Sequence, residues 1–108
     1  MPRYAQEIAM KLPDAAHCLE SLGNDTRLGV YRALVRAGPG GLPVGQLQSR
    51  LDIPGSTLSH HIAHLVKNEL VTQNREGRVL RCTANYNKMN ALLEFLSEEC
   101  CRDSEGCG

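Results

Sequence analysis

Asp52-Ile53-Pro54-Gly55-Ser56-Thr57-Leu58-Ser59-His60-His61-Ile62-Ala63-His64-Leu65-Val66-Lys67 is the stretch whose reading decides the fold. Its first four residues are turn formers. From there Leu58, Ile62, Leu65 and Val66 recur at i, i+4, i+7 and i+8, the period of an amphipathic helix that Ser56 is placed to cap. With those four toward a core, Thr57, Ser59, His60, His61, His64 and Lys67 are expected to point largely outward. Val44 to Leu51 reads as a short helix before the turn, so the stretch is helix, tight turn, helix.

Working outward, the N-terminal side adds two more helices. Leu12, Ala15, Ala16, Leu19 and Leu22 recur at helical spacing in a segment that starts at Tyr4 or Asp14 and ends at Leu22. Asn24 or Asp25 can cap the next helix, whose apolar face is Leu28, Val30, Tyr31, Leu34 and Val35. On the C-terminal side the period shortens to two: Val71 to Arg75 and Arg78 to Thr83, joined by Glu76-Gly77, read as a β-hairpin with basic residues near its tip. A last helix, about Tyr86 to Cys101, carries Met89, Leu92, Leu93 and Leu96 as its apolar stripe.

The fold class is therefore mainly α with a small β-hairpin, a winged helix-turn-helix. In such an arrangement the second helix of the turn enters a major groove and the hairpin lies along neighbouring phosphates. Ser56, Thr57 and Ser59 stand at a helix N-terminus, where hydroxyls and free amides meet phosphate. His60, His61 and His64 would reach base edges, Lys67 would extend the same face, and Arg75, Arg78 and Arg81 suit the wing. A polar helix face alone would read equally well as a solvated surface; it is the combination with the turn and the basic hairpin that points to DNA. His60 and His64, at i and i+4, have the spacing of a metal pair but no acidic or third ligand beside them.

Composition bounds the rest. The 108 residues allow one domain with a modest core, since the chain holds one Phe, three Tyr and no Trp. The formal net charge is zero, yet residues 1–93 carry eleven Lys or Arg against seven Asp or Glu, while residues 94–108 carry Arg102 against five acids. The body is basic and the tail acidic. The first twelve residues contain Arg3, Glu7 and Lys11 and lack the apolar run of a signal peptide, and no stretch has membrane-spanning length, so a cytoplasmic protein with no membrane partner is expected.

Five cysteines in a reducing compartment are expected to be free thiols. Cys18 and Cys82 fall among apolar residues and read as core. Cys100, Cys101 and Cys107 crowd the acidic tail, where three thiolates invite a thiophilic ion. Residues 1–101 then form the domain and residues 102–108 a flexible tail that completes the thiolate site. The chain lacks a Ser/His/Asp set and a glycine-rich phosphate loop. Its clustered cysteines sit among carboxylates at a helix C-terminus, where the dipole disfavours thiolate, so an enzyme is not expected.

Gly23-Asn24-Asp25-Thr26-Arg27-Leu28, then Ser56 to Leu65, then Gly77-Arg78, together resemble the ArsR/SmtB family of metalloregulatory repressors, over about residues 14–100. The resemblance implies a homodimer, joined through the first and last helices, that binds double-stranded operator DNA and leaves it when an inducer binds. Leu12, Leu19, Leu92 and Leu96 would be apolar surface left wet in a monomer. Two familiar sensing sites of the family are missing: Val44-Gly45-Gln46-Leu47-Gln48 holds no cysteine, and the last helix holds no histidine or aspartate. The Cys100, Cys101 and Cys107 pattern is similar to the C-terminal arsenite site of one subgroup. It implies As(III), and with it Sb(III), as inducer, because As(III) takes three soft ligands whereas structural zinc takes four. Adjacent helical residues point about 100° apart, so Cys100 and Cys101 converge only if the helix end unwinds or the ion sits at its frayed terminus. Two alternatives stand beside this reading: a thiol-redox or sulfide-responsive repressor of the same fold, and a metal-sequestering thiol protein.

Overall fold

A computed structural model describes residues 10–104, so Cys107 and the alternative helix start at Tyr4 lie outside the described residues. The elements run α1 (Leu12–Leu22), α2 (Asp25–Ala37), β1 (Leu42–Pro43), α3 (Val44–Leu51), α4 (Gly55–Lys67), β2 (Val71–Glu76), β3 (Val79–Ala84) and α5 (Tyr86–Ser97). This is the winged helix-turn-helix expected. Asn24 caps α2 by accepting from the Arg27 amide at 2.9 Å, and Asn85 caps α5 by accepting from the Lys88 amide at 3.2 Å.

The strands form one antiparallel sheet in the order β1-β3-β2. Glu76 pairs with Val79 across the two-residue turn Gly77-Arg78, where Gly77 takes φ 64. The sequence reading missed β1. Leu42 pairs with Cys82 there, and Gly41 just before it leaves no room for a side chain, since a Cβ would lie 2.2 Å from the Cys82 carbonyl oxygen.

The core gathers Val30 and Leu34 of α2, Leu47 of α3, and Leu58, Ile62 and Leu65 of α4 with Leu70, Val71 and Cys82, all at most 1% exposed. The α4 period therefore means what it promised: its apolar stripe anchors the helix. Cys18 and Cys82 are buried as expected, and burial pushes both thiols up from their ordinary range.

Three expectations are corrected. Ser56 does not cap α4, because Pro54 holds the N-cap position without a side-chain bond and the helix already begins at Gly55. The last helix stops at Ser97 rather than Cys101: Glu98 is extended (φ −64, ψ 147) and Glu99 and Cys101 are left-handed, with φ 61 and 63. Leu92 is buried in its own chain's core, so the wet apolar surface on α5 is Leu93 and Leu96, matched by Leu12 and Leu19 on α1.

Candidate nucleic-acid interface and thiol site

The turn that aims α4 is held by backbone geometry. Asp52 closes α3 in the left-handed region (φ 52), its amide bonding the Gln48 carbonyl at 2.9 Å, and Pro54 then sets the entry to α4. With no side chain capping α4, the first amides of the helix are left for an external acceptor, and its N-terminus is electropositive. Ser56, Thr57, Ser59, His60 and Lys67 are exposed along one side, with Ala63 between them.

His61 and His64 do not belong to that exposed row. His61 is only 9% exposed, and its Nδ1 lies 3.3 Å from Arg27 Nη1. Burial first, then the Arg27 charge and the two neighbouring histidines, lower its pKa from the ordinary 6.5. His64 is half-buried and turned toward α1, with Nδ1 2.9 Å from Ser21 Oγ. The expectation that both would reach base edges is corrected. Residues three apart share a helix flank, and here that flank is occupied by the α1–α2 corner.

On the wing, Arg75 and Arg78 are exposed and uncommitted to any hydrogen bond described, as a phosphate-facing tip needs. Arg81 differs from its expected role. Its Nε bonds Glu76 Oε1 at 3.0 Å and its Nη1 donates to the Gly40 carbonyl at 3.1 Å, so it ties the hairpin to the loop before β1.

A family profile described as a helix-turn-helix domain matches residues 22–74, which span α2 through most of β2. The chain is 29% identical over 104 residues to the transcriptional activator HlyU of Vibrio cholerae, covering 96% of this chain and 94% of that one. The solved structure of HlyU from Vibrio cholerae superposes with a TM-score of 0.64 at 32% identity, covering 81% of this chain and 97% of HlyU. The chain belongs to the ArsR/SmtB family of winged-helix regulators. An ArsR-like transcriptional regulator from a Rhodococcus species shares the fold at 22% identity, with a TM-score of 0.69 over 79% of this chain and 77% of that one. The transcriptional repressor BigR from Xylella fastidiosa matches at 25% identity, with a TM-score of 0.66 over 90% and 94% of the two chains. This ArsR-family chain is thus a transcriptional regulator and not an enzyme.

The tail is the second site to consider. Cys100 and Cys101 face each other with sulfurs 3.6 Å apart, and Cys101 is half-buried. An unwound helix end, one of the two alternatives for their convergence, is present. A ladder of single turns follows α5, from Cys100 N to Ser97 O, Arg102 N to Glu99 O and Ser104 N to Cys101 O, at 3.0 to 3.1 Å. Cys101 is disulfide-bonded while Cys18, Cys82 and Cys100 are free, which departs from the expectation of free thiols throughout. Among the described residues no three His, Cys, Asp or Glu side chains group as a metal site. No helix among them is long and apolar enough to cross a membrane.

Proposed function

We propose that this ArsR-family regulator is a homodimeric repressor that binds operator DNA through α4 and the wing and is released when As(III), or Sb(III), binds Cys100, Cys101 and Cys107. The observation that carries the ligand is the 3.6 Å separation of the Cys100 and Cys101 sulfurs on an unwound helix end. Once the Cys101 disulfide is reduced, two thiolates that each bind one ion at ~2.3 Å, across a near-tetrahedral angle, stand ~3.7 Å apart. Cys107, six residues beyond Cys101, would supply the third sulfur. Thiophilic chemistry favours such a set, and a three-coordinate ion needs no fourth donor.

Release follows from position. The thiols lie just beyond the end of the helix whose Leu93 and Leu96, 56% and 55% exposed, form with Leu12 and Leu19 the apolar surface that a second copy would cover. Drawing the tail onto one ion reshapes that end of α5, changes the dimer geometry and spoils the spacing of the two α4 helices on successive major grooves. A coupling of ~1 to 3 kcal/mol is enough for about 5-fold to 150-fold release.

A second reading is favoured by the disulfide at Cys101: oxidation in place of As(III) would reshape the same helix end. One experiment separates them. The full chain is bound under reducing conditions to a fluorescent duplex that it has itself selected from a randomised pool, and arsenite, antimonite, zinc and peroxide are titrated separately. Arsenite release under reducing conditions is expected; release by peroxide alone would transfer the function to the redox reading, and release by zinc alone would sink both. Sedimentation of Leu93→Glu against the parent tests the dimer, with a monomer expected from the variant.

A further inference from the structure

Ser21 is a polar residue with no exposed surface, at the end of a helix whose outer side carries Leu12 and Leu19. Its two polar groups are both used. The carbonyl accepts from Arg27 Nε, and the hydroxyl meets His64 Nδ1 at 2.9 Å. Arg27, from the first turn of α2, then extends Nη1 to His61 Nδ1 at 3.3 Å. Asn68 closes the other side of His64, donating from Nδ2 to the His64 carbonyl at 3.1 Å.

These contacts add something that the packing of α4 lacks. Leu58, Ile62 and Leu65 hold the helix by apolar burial, which is strong but indifferent to small rotations. Hydrogen bonds are directional. His61 and His64 stand roughly 4.5 Å apart along the helix axis, so one grip alone would be a pivot, whereas two resist rotation and sliding together. We propose that Ser21 and Arg27 are positioning residues for DNA binding: through His64 and His61 they fix the rotation of α4, and so relay displacements of α1 to the Ser56–Lys67 face. The inference rests on α4 being the DNA-reading helix, as argued under the proposed function.

The donor and acceptor pattern is constrained on the His61 side. A guanidinium has only donors, so His61 accepts at Nδ1 and carries its hydrogen on Nε2. The Ser21 hydroxyl can donate to or accept from His64 Nδ1, with Asn68 Nδ2 3.5 Å from the same atom.

The test uses the full chain and the same selected duplex, without inducer. Ser21→Ala and His61→Phe keep the shape of each site and remove one bond; each is expected to weaken DNA binding about 5-fold, the worth of one ordinary hydrogen bond. His61→Asn keeps an acceptor near the Nδ1 position and is expected to stay within about twofold of the parent. Amide exchange of the DNA-free proteins is the second measurement, with faster exchange expected in α4 of Ser21→Ala and none in β2 or β3. Parental affinity in Ser21→Ala and His61→Phe would overturn the relay, as would His61→Asn binding as weakly as His61→Phe. Unchanged α4 exchange would overturn it as well. Selection of no duplex by the parent would instead defeat the DNA reading, and the exchange data would still judge the relay.

Discussion

Helix α4 and the cysteine tail are built on opposite principles. α4 rests on three side chains at most 1% exposed and on hydrogen bonds to the α1–α2 corner, so its outward row is presented by the interior of the protein. The tail rests on single turns, an exposed Arg102–Glu99 pair at 3.6 Å and the disulfide at Cys101, with two non-glycine residues held at positive φ. Such a surface pair contributes little, and each left-handed residue costs roughly 1 kcal/mol or more. On the function proposed above the difference is instructive, because an output surface would have to exist before DNA arrives, whereas an input segment responds best when its ligand, and not the fold, decides its shape.

Predictions that break the comparison begin with the anchor. Leu58→Ala removes a fully buried side chain under α4 and is expected to cost about 2 to 5 kcal/mol in urea unfolding. An unfolding curve matching the parent would mean that α4 is not core-supported. Next in size, Ser56→Glu sets a carboxylate where the α4 N-terminus would meet phosphate and is expected to weaken duplex binding ~30-fold with the melting temperature unchanged. Equal loss from a glutamate at Glu98's neighbour Ser97, which lies outside the DNA face, would erase the distinction between the two regions.

On the input side, Cys101→Ser should leave both stability and DNA affinity near parental while raising the arsenite concentration needed for release about 10-fold. Release at the parental concentration would remove Cys101 from the site. The smallest effect concerns pH. The folded state lowers the His61 pKa below its ordinary 6.5, so the neutral ring is favoured on folding. That contribution is present above 6.5 and is lost as pH falls through 6.5 toward the lower folded value. Denaturant melts between pH 7.5 and about 5.5 should show a decline that His61→Asn flattens, and parallel curves would reject it.

Much of this was readable in the chain. The 3.6-residue period from Leu58 to Val66 and the shift to period two after Leu70 located the helix and the wing, because burial imposes one repeat on helices and another on strands. The short α3 was placed at its observed bounds by Asp52-Ile53-Pro54. The β1 strand was not readable, since two residues carry no period and its reality lies in Leu42 pairing with Cys82 forty residues away. The end of α5 was misjudged by four residues, as Glu98 to Cys101 contain no glycine or proline to announce a stop.

By itself the sequence determined the winged helix-turn-helix, the polar face with Ser56, Thr57, Ser59 and His60, and a thiol cluster near the C-terminal end of the last helix, because local periodicity and residue chemistry act within a few positions of the chain. The tertiary structure alone decided which histidines stay outside. His60 remains exposed while His61 and His64 turn to Arg27 and Ser21. A helical period gives the faces of a helix but not the neighbours that cover its flanks, and those neighbours come from residues 34 and 43 positions away.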